Sequence, residues 1–162
     1  MTKSKRRQLA GCALSMWATF ACNNALAALI GHWQLDEGAG TTINDSSSSN
    51  RDGTAQNATW YADSFGQTLR FNGASSFVRV PGGAELNVSQ NYSISIWVYP
   101  ESLSDWQCLV ERGTSASNRM GVWLRGASVT VATGNNGGGW WTSNPIIATR
   151  QWHHIVVTHD GA

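Results

Sequence analysis

The sequence predicts an all-β fold, an antiparallel β-sandwich, and three observations predict it. Short runs of residues alternate between apolar and polar with a period of two. Glycine, asparagine and aspartate cluster between those runs. No stretch past residue 27 has a helical period of 3.6. A period of two puts successive side chains on opposite faces of a pleated strand, so one face can be buried while the other is wetted. Short strands at this spacing, separated by turn residues, pack as two facing sheets.

Composition agrees. The chain has 162 residues, of which only 13% are charged, and it carries 9 Trp, 17 Gly and 3 Pro. Low charge with many aromatics excludes a disordered acidic or basic tail and a coiled coil. The net charge of +1 is unevenly spread, because Lys3, Lys5, Arg6 and Arg7 all lie near the N-terminus and no other lysine occurs.

The first element is an address. The basic run precedes a mostly apolar stretch with Leu14, Met16, Trp17 and Phe20, and Ala25-Leu26-Ala27 follows. That is the order of charged region, apolar region and cleavage site in a secretory signal peptide, expected to span 1–27. The apolar run is too short for a membrane span. Leu9-Ala10-Gly11-Cys12 lacks a preceding apolar stretch, and Thr19-Phe20-Ala21 before Cys22 is a poor lipobox, so plain export is expected, to periplasm, cell surface or medium. Residues 28–162 then carry seven Arg against ten Asp and Glu, a net −3, which leaves no basic face for nucleic acid. Cys108 remains the single cysteine there; beside Leu109 and Val110 it is expected to be buried.

The clearest strand is Tyr92-Ser93-Ile94-Ser95-Ile96-Trp97-Val98-Tyr99, with Tyr92, Ile94, Ile96 and Val98 on one face; Pro100 ends it by lacking a ladder donor. Further runs lie at 29–35, 53–58, 68–71, 77–80, 107–111, 120–125, 128–133 and 153–159. In the last, Ile155 and Val157 alternate with His154, Val156 and Thr158. Turns are expected at Glu37-Gly38-Ala39-Gly40, Asp52-Gly53, Asn72-Gly73, Pro81-Gly82-Gly83, 134–139 and Asp160-Gly161, where residues accept positive φ or hydrogen-bond their own backbone. No internal repeat is visible.

Four segments, in this order and spacing, carry a resemblance. They are Gly31-His32-Trp33-Gln34-Leu35-Asp36-Glu37-Gly38-Ala39-Gly40 with Asn44-Asp45-Ser46 and Asp52-Gly53-Thr54; Leu69-Arg70-Phe71-Asn72-Gly73 leading into Phe77-Val78-Arg79-Val80-Pro81; the strand 92–100; and Gln151-Trp152-His153-His154-Ile155-Val156-Val157-Thr158-His159-Asp160-Gly161. Over residues 29–162 the chain resembles the LamG-like jelly-roll domains of the concanavalin A-like lectin/glucanase superfamily, in the form found in exported bacterial proteins. The resemblance implies a jelly-roll sandwich over 28–162. It also implies further strands after Asp160-Gly161, one with a Tyr-Val-Asp-Gly-like turn and one like Ile-Asp-Glu-Val-Arg. The domain is therefore expected to be truncated, and 28–162 alone to fold poorly through open sheet edges.

The superfamily includes β-glucanases, whose chemistry needs two carboxylates about 5–5.5 Å apart on either side of the scissile bond. None of the ten acids forms an i, i+2 pair, Asp36-Glu37 lies at a turn, and no Gly-x-Ser-x-Gly elbow occurs. The domain is expected not to be an enzyme. His153 and His154 are adjacent on a strand and face opposite ways, and His32 has no ligand neighbour, so the histidines read as packing groups. The resemblance implies calcium as a cofactor, with Asn72 and Asn118 as the positions offered; the turn-forming reading is preferred for both.

Sugar binding needs an exposed ring, because an indole face stacks on the apolar face of a pyranose. Trp106 follows Ser104-Asp105 in a loop, and Trp140-Trp141 follow a glycine run. Of two neighbours on a strand only one can face the core, so one of this pair is expected outside. Trp106, Trp140 and Trp141 are the candidate ligand residues, with loop anchoring as the alternative for each. Trp33, Trp97, Trp123 and Trp152 read as core, and Trp60-Tyr61 stays open. The expected function is non-catalytic recognition of carbohydrate or a surface glycoconjugate within a larger protein. The rivals are a structural or adhesive domain that binds no sugar and an accessory domain of an exported glycoside hydrolase.

Overall fold

A computed structural model describes residues 28–87, 91–113, 120–133 and 139–160. The expected leader, 1–27, and Asn118 lie outside the described residues.

Among the described residues, eleven strands and one 3-10 turn, Ala84–Leu86, make up the regular structure. The strands are β1 (Thr42–Ile43), β2 (Gly53–Gln56), β3 (Thr59–Asp63), β4 (Gly66–Arg70), β5 (Phe77–Arg79), β6 (Tyr92–Val98), β7 (Gln107–Arg112), β8 (Met120–Arg125), β9 (Ser128–Thr133), β10 (Trp140–Thr142) and β11 (His153–His159). All pairings are antiparallel. Strand order is β10-β9-β8-β7 in the largest sheet and β1-β2-β5 in a second; β3-β4 form a hairpin, and β6 pairs with β11, far along the chain, in a further two-stranded sheet.

Two layers enclose the core. Val122 and Leu124 of β8 and Val129 of β9 project from the four-stranded sheet onto Ile155 of β11, with Ile147 between them. Ile94, Ile96 and Val98 of β6 pack against this cluster, as the alternation in that strand predicts. The β8–β9 hairpin closes through Arg125↔Ser128, and Gly126 takes the left-handed turn position at φ 57.

The all-β antiparallel architecture and strands β6, β8, β9 and β11 follow the sequence reading. Elsewhere the structure corrects it. The run 29–35 forms no named strand. Among the described residues its only bridge is Trp33↔Asp45, and Leu35 turns left-handed at φ 57. Side-chain and loop partners take its backbone groups instead: His32 N–H donates to Asp45 Oδ1 at 2.9 Å, and Ser46 N–H donates to the His32 carbonyl at 2.9 Å. No sequence run predicts β1, β3 or β10: β1 is only two residues long, and β3 and β10 hide no apolar face.

Cys108 is exposed rather than buried. It pairs with Trp123 on the outer face of the sheet, its Sγ 3.8 Å from Glu111 Oε2. A bulge between Cys108 and Val110 breaks the register, and it is Leu109 that packs on the core and Val110 that pairs with Val122. Trp97 is also exposed, 57%, on the outer face of β6, where its ring stacks on His154 at 4.6 Å. Trp33 and Trp152 are half-buried and anchor loops: their indole N–H groups donate to the Arg51 carbonyl and to Asp63 Oδ2. Of the four expected core tryptophans, only Trp123 is fully buried.

Candidate functional site

The outer face of the four-stranded sheet gathers three indoles. Register places Trp123, Thr130, Ala132, Trp140 and Thr142 on that face, since residues opposite one another across strands share a side. Trp123 is buried and forms the floor. Its ring lies over Gly121, where an added Cβ would come within 2.5 Å of the indole, so only glycine leaves room for this seat. Trp140 packs on Trp123 with centroids 5.2 Å apart and planes tilted 36°.

Trp106 completes the group from the loop before β7. Its ring meets that of Trp140 edge to face, 5.6 Å apart at 88°. The loop is tied down on both sides. The Gln107 side chain accepts from Ser104 N–H at 3.0 Å and donates to the Ser102 carbonyl at 3.2 Å, while Gly126 N–H donates to the Ser104 carbonyl at 3.2 Å. Trp106 itself sits at φ 64, a conformation costly for a bulky side chain and kept only where surroundings impose it. Arg125 lies over the same ring with Cζ 5.1 Å from its centroid, a cation–π contact.

The result is a corner of two half-exposed indoles, Trp106 at 50% and Trp140 at 48%, backed by a buried third and flanked by a guanidinium. Perpendicular rings offer a floor and a wall to a flat, partly apolar ligand. Asp105, next to Trp106 in the chain, is exposed.

The expected trio is thus divided. Trp106 and Trp140 come together. Trp141 points to the other side of the sheet, opposite Val131, and lines a groove between β9, β10 and β11. It is nevertheless 54% exposed, so both members of the Trp140-Trp141 pair are open to solvent. The alternation is intact, but β10 is an outermost strand and the inner face beside it is not filled. Sequence reasoning missed Arg125 and Trp123 as members of the site. Their i, i+2 spacing on β8 was the available signal.

Asn72 closes a turn. Its Oδ1 accepts from the N–H groups of Ala74, Ser75 and Ser76 and from the Ser76 hydroxyl, at 2.9–3.1 Å. These bonds make Asn72 the closing residue of the turn 72–76, the turn-forming role that its sequence also allows. Among the described residues no group of three or more His, Cys, Asp or Glu could hold a metal ion.

Among the described residues, Asp45 is the most strongly perturbed titratable group. Burial alone would raise its carboxyl, but N–H donors from Arg51, His32 and Ser47 outweigh this and hold it far below the usual carboxylate range. This clasp shapes the loop 45–51, distant in sequence from the indole corner.

A protein-family model described as the concanavalin A-like lectin/glucanases superfamily matches residues 71–162, more than half of the chain and the part that contains every residue of the indole corner. No curated protein and no solved structure matches the chain. No helix among the described residues is long and apolar enough to cross a membrane.

Proposed function

Because the chain belongs to the concanavalin A-like lectin/glucanase superfamily, we propose that it is a non-catalytic module that recognises carbohydrate or a surface glycoconjugate, exported and carried within a larger protein. One observation carries the reading: the Trp106–Trp140 corner. Indoles are costly to leave in water, and here two are held half-exposed by a strained backbone, a stacked guanidinium and a buried third ring. Such a platform stacks on the apolar face of a sugar ring, with Arg125 and Asp105 reaching hydroxyl groups.

The test is a glycan array probed with the intact chain and with Trp106→Ala, each with and without calcium. Binding by the parent chain and its loss in the variant support the reading. Absence of binding under both conditions contradicts it and favours a structural or adhesive role.

A further inference from the structure

Arg125 brings a cation to the indole corner without a counter-ion. Its Cζ lies 5.1 Å from the Trp106 ring centroid. An indole face attracts the charge but offers no lone pair to the N–H donors. Among the described residues the Arg125 side chain forms no ion pair and no hydrogen bond. Arg51 and Arg70 differ, since they bridge to Glu85 and Glu101. Arg125 is also exposed.

The backbone holds this cation in place from two sides. Arg125 ends β8, and the turn that follows it is tied to the loop carrying Trp106, where Gly126 N–H donates to the Ser104 carbonyl at 3.2 Å. On its other side the Ala127 carbonyl accepts from the N–H groups of Ile146 and Ile147, each at 2.9 Å. The guanidinium therefore stands beside the corner because the chain is fastened there, and its free donors meet whatever the rings bind.

Charge balance narrows what that is. Residues 28–162 carry seven Arg against ten Asp and Glu, so a densely sulfated or phosphorylated chain meets net repulsion. One acid group on an otherwise neutral ligand needs only one cation. A carboxylate is planar and matches the guanidinium fork with two parallel N–H···O bonds.

We infer that the corner selects acidic saccharides, with the carboxylate of a uronic acid unit on Arg125 and its pyranose ring on the open indole surface. This rests on the sugar-recognition reading and adds the ligand class to it. In a uronic acid the carboxylate is borne directly on the pyranose ring, so a ring stacked in the corner carries its charge to the neighbouring guanidinium.

The test is an array of uronides, each beside the neutral glycoside of the same configuration, probed with the intact chain and with Arg125→Gln. The parent chain should favour the uronide of at least one pair by about tenfold. Raised sodium chloride should narrow that preference, because an exposed ion pair is screened. Arg125→Gln should erase it. If Arg125 only props Trp106, the variant weakens both members of a pair by the same factor and the preference stays. That result, a preference indifferent to salt, or equal binding of both members by the parent overturns the acidic ligand and leaves sugar recognition standing. Binding to neither member of any pair overturns both.

Discussion

Trp106 and Trp140 meet edge to face with ring centroids 5.6 Å apart, one from a loop and the other from an outermost strand. The contact joins two parts of the chain that the sheet brings to one side, and it leaves each ring about half open. If this corner binds sugar, truncating either ring should remove a central contact. Trp106→Ala and Trp140→Ala should each cost about 2 kcal/mol, roughly a 30-fold rise in Kd. Trp141→Ala, on the opposite face, should leave Kd unchanged. Titration calorimetry with a glycan identified on the array measures all three.

Gly121 holds the floor of the corner by having no side chain. Gly121→Ala forces a Cβ against Trp123 and against the Val110 carbonyl, both closer than a real Cβ contact. The expected cost is roughly 1–3 kcal/mol of stability from overpacking, with a changed near-ultraviolet dichroism as Trp123 and Trp140 shift. An unchanged melt and spectrum would contradict the role given to this glycine.

Tyr92 is buried, and among the described residues its hydroxyl has no hydrogen-bond partner. Burial accordingly raises its phenol pKa. Removing an unsatisfied buried hydroxyl while keeping the ring relieves its desolvation cost, so Tyr92→Phe should stabilise the chain by about 1 kcal/mol. Denaturant unfolding of the two proteins compares them directly.

The Asp45 clasp makes stability depend on acid. A carboxyl whose folded pKa lies below its unfolded one contributes stability that is complete above the unfolded value, near 3.9, and is lost as pH falls toward the folded value. Stability should therefore decline progressively below about pH 4. Asp45→Asn, which presents an amide where Arg51 N–H now donates to Oδ2, should be less stable at neutral pH and should flatten that decline. Melting temperature against pH for both chains reads the difference.

What the sequence disclosed follows from where periodicity is enforced. β6 and β11 alternate cleanly because one face of each meets the core and the other meets water, and their limits were legible to within a residue. β3 and β10 hide no face, so nothing in their composition marked them. Segment 29–35 alternates like a strand, yet the Asp45 carboxylate and the left-handed Leu35 divert its backbone. Cys108 looked buried from its neighbours, but the bulge at 108/110 leaves it outside. In the site, Trp106 and Trp140 were legible as exposed aromatics near turns. Their meeting was not, because it depends on the β8–β9–β10 register and on the Gln107 staple. Trp97 shows the converse: a tryptophan inside a strand read as core, although its parity puts it outside with Ser95.

The indole N–H resonances show which rings meet a sugar. Each tryptophan side chain gives a separate signal, so a glycan titration followed by proton–nitrogen correlation reports which rings meet the ligand. Saturable shifts are expected at Trp106 and Trp140, with Trp97 and Trp141 unmoved. Shifts confined to Trp97 or Trp141, or no saturable shift with any glycan that the chain retains on the array, would contradict sugar binding at the Trp106–Trp140 corner.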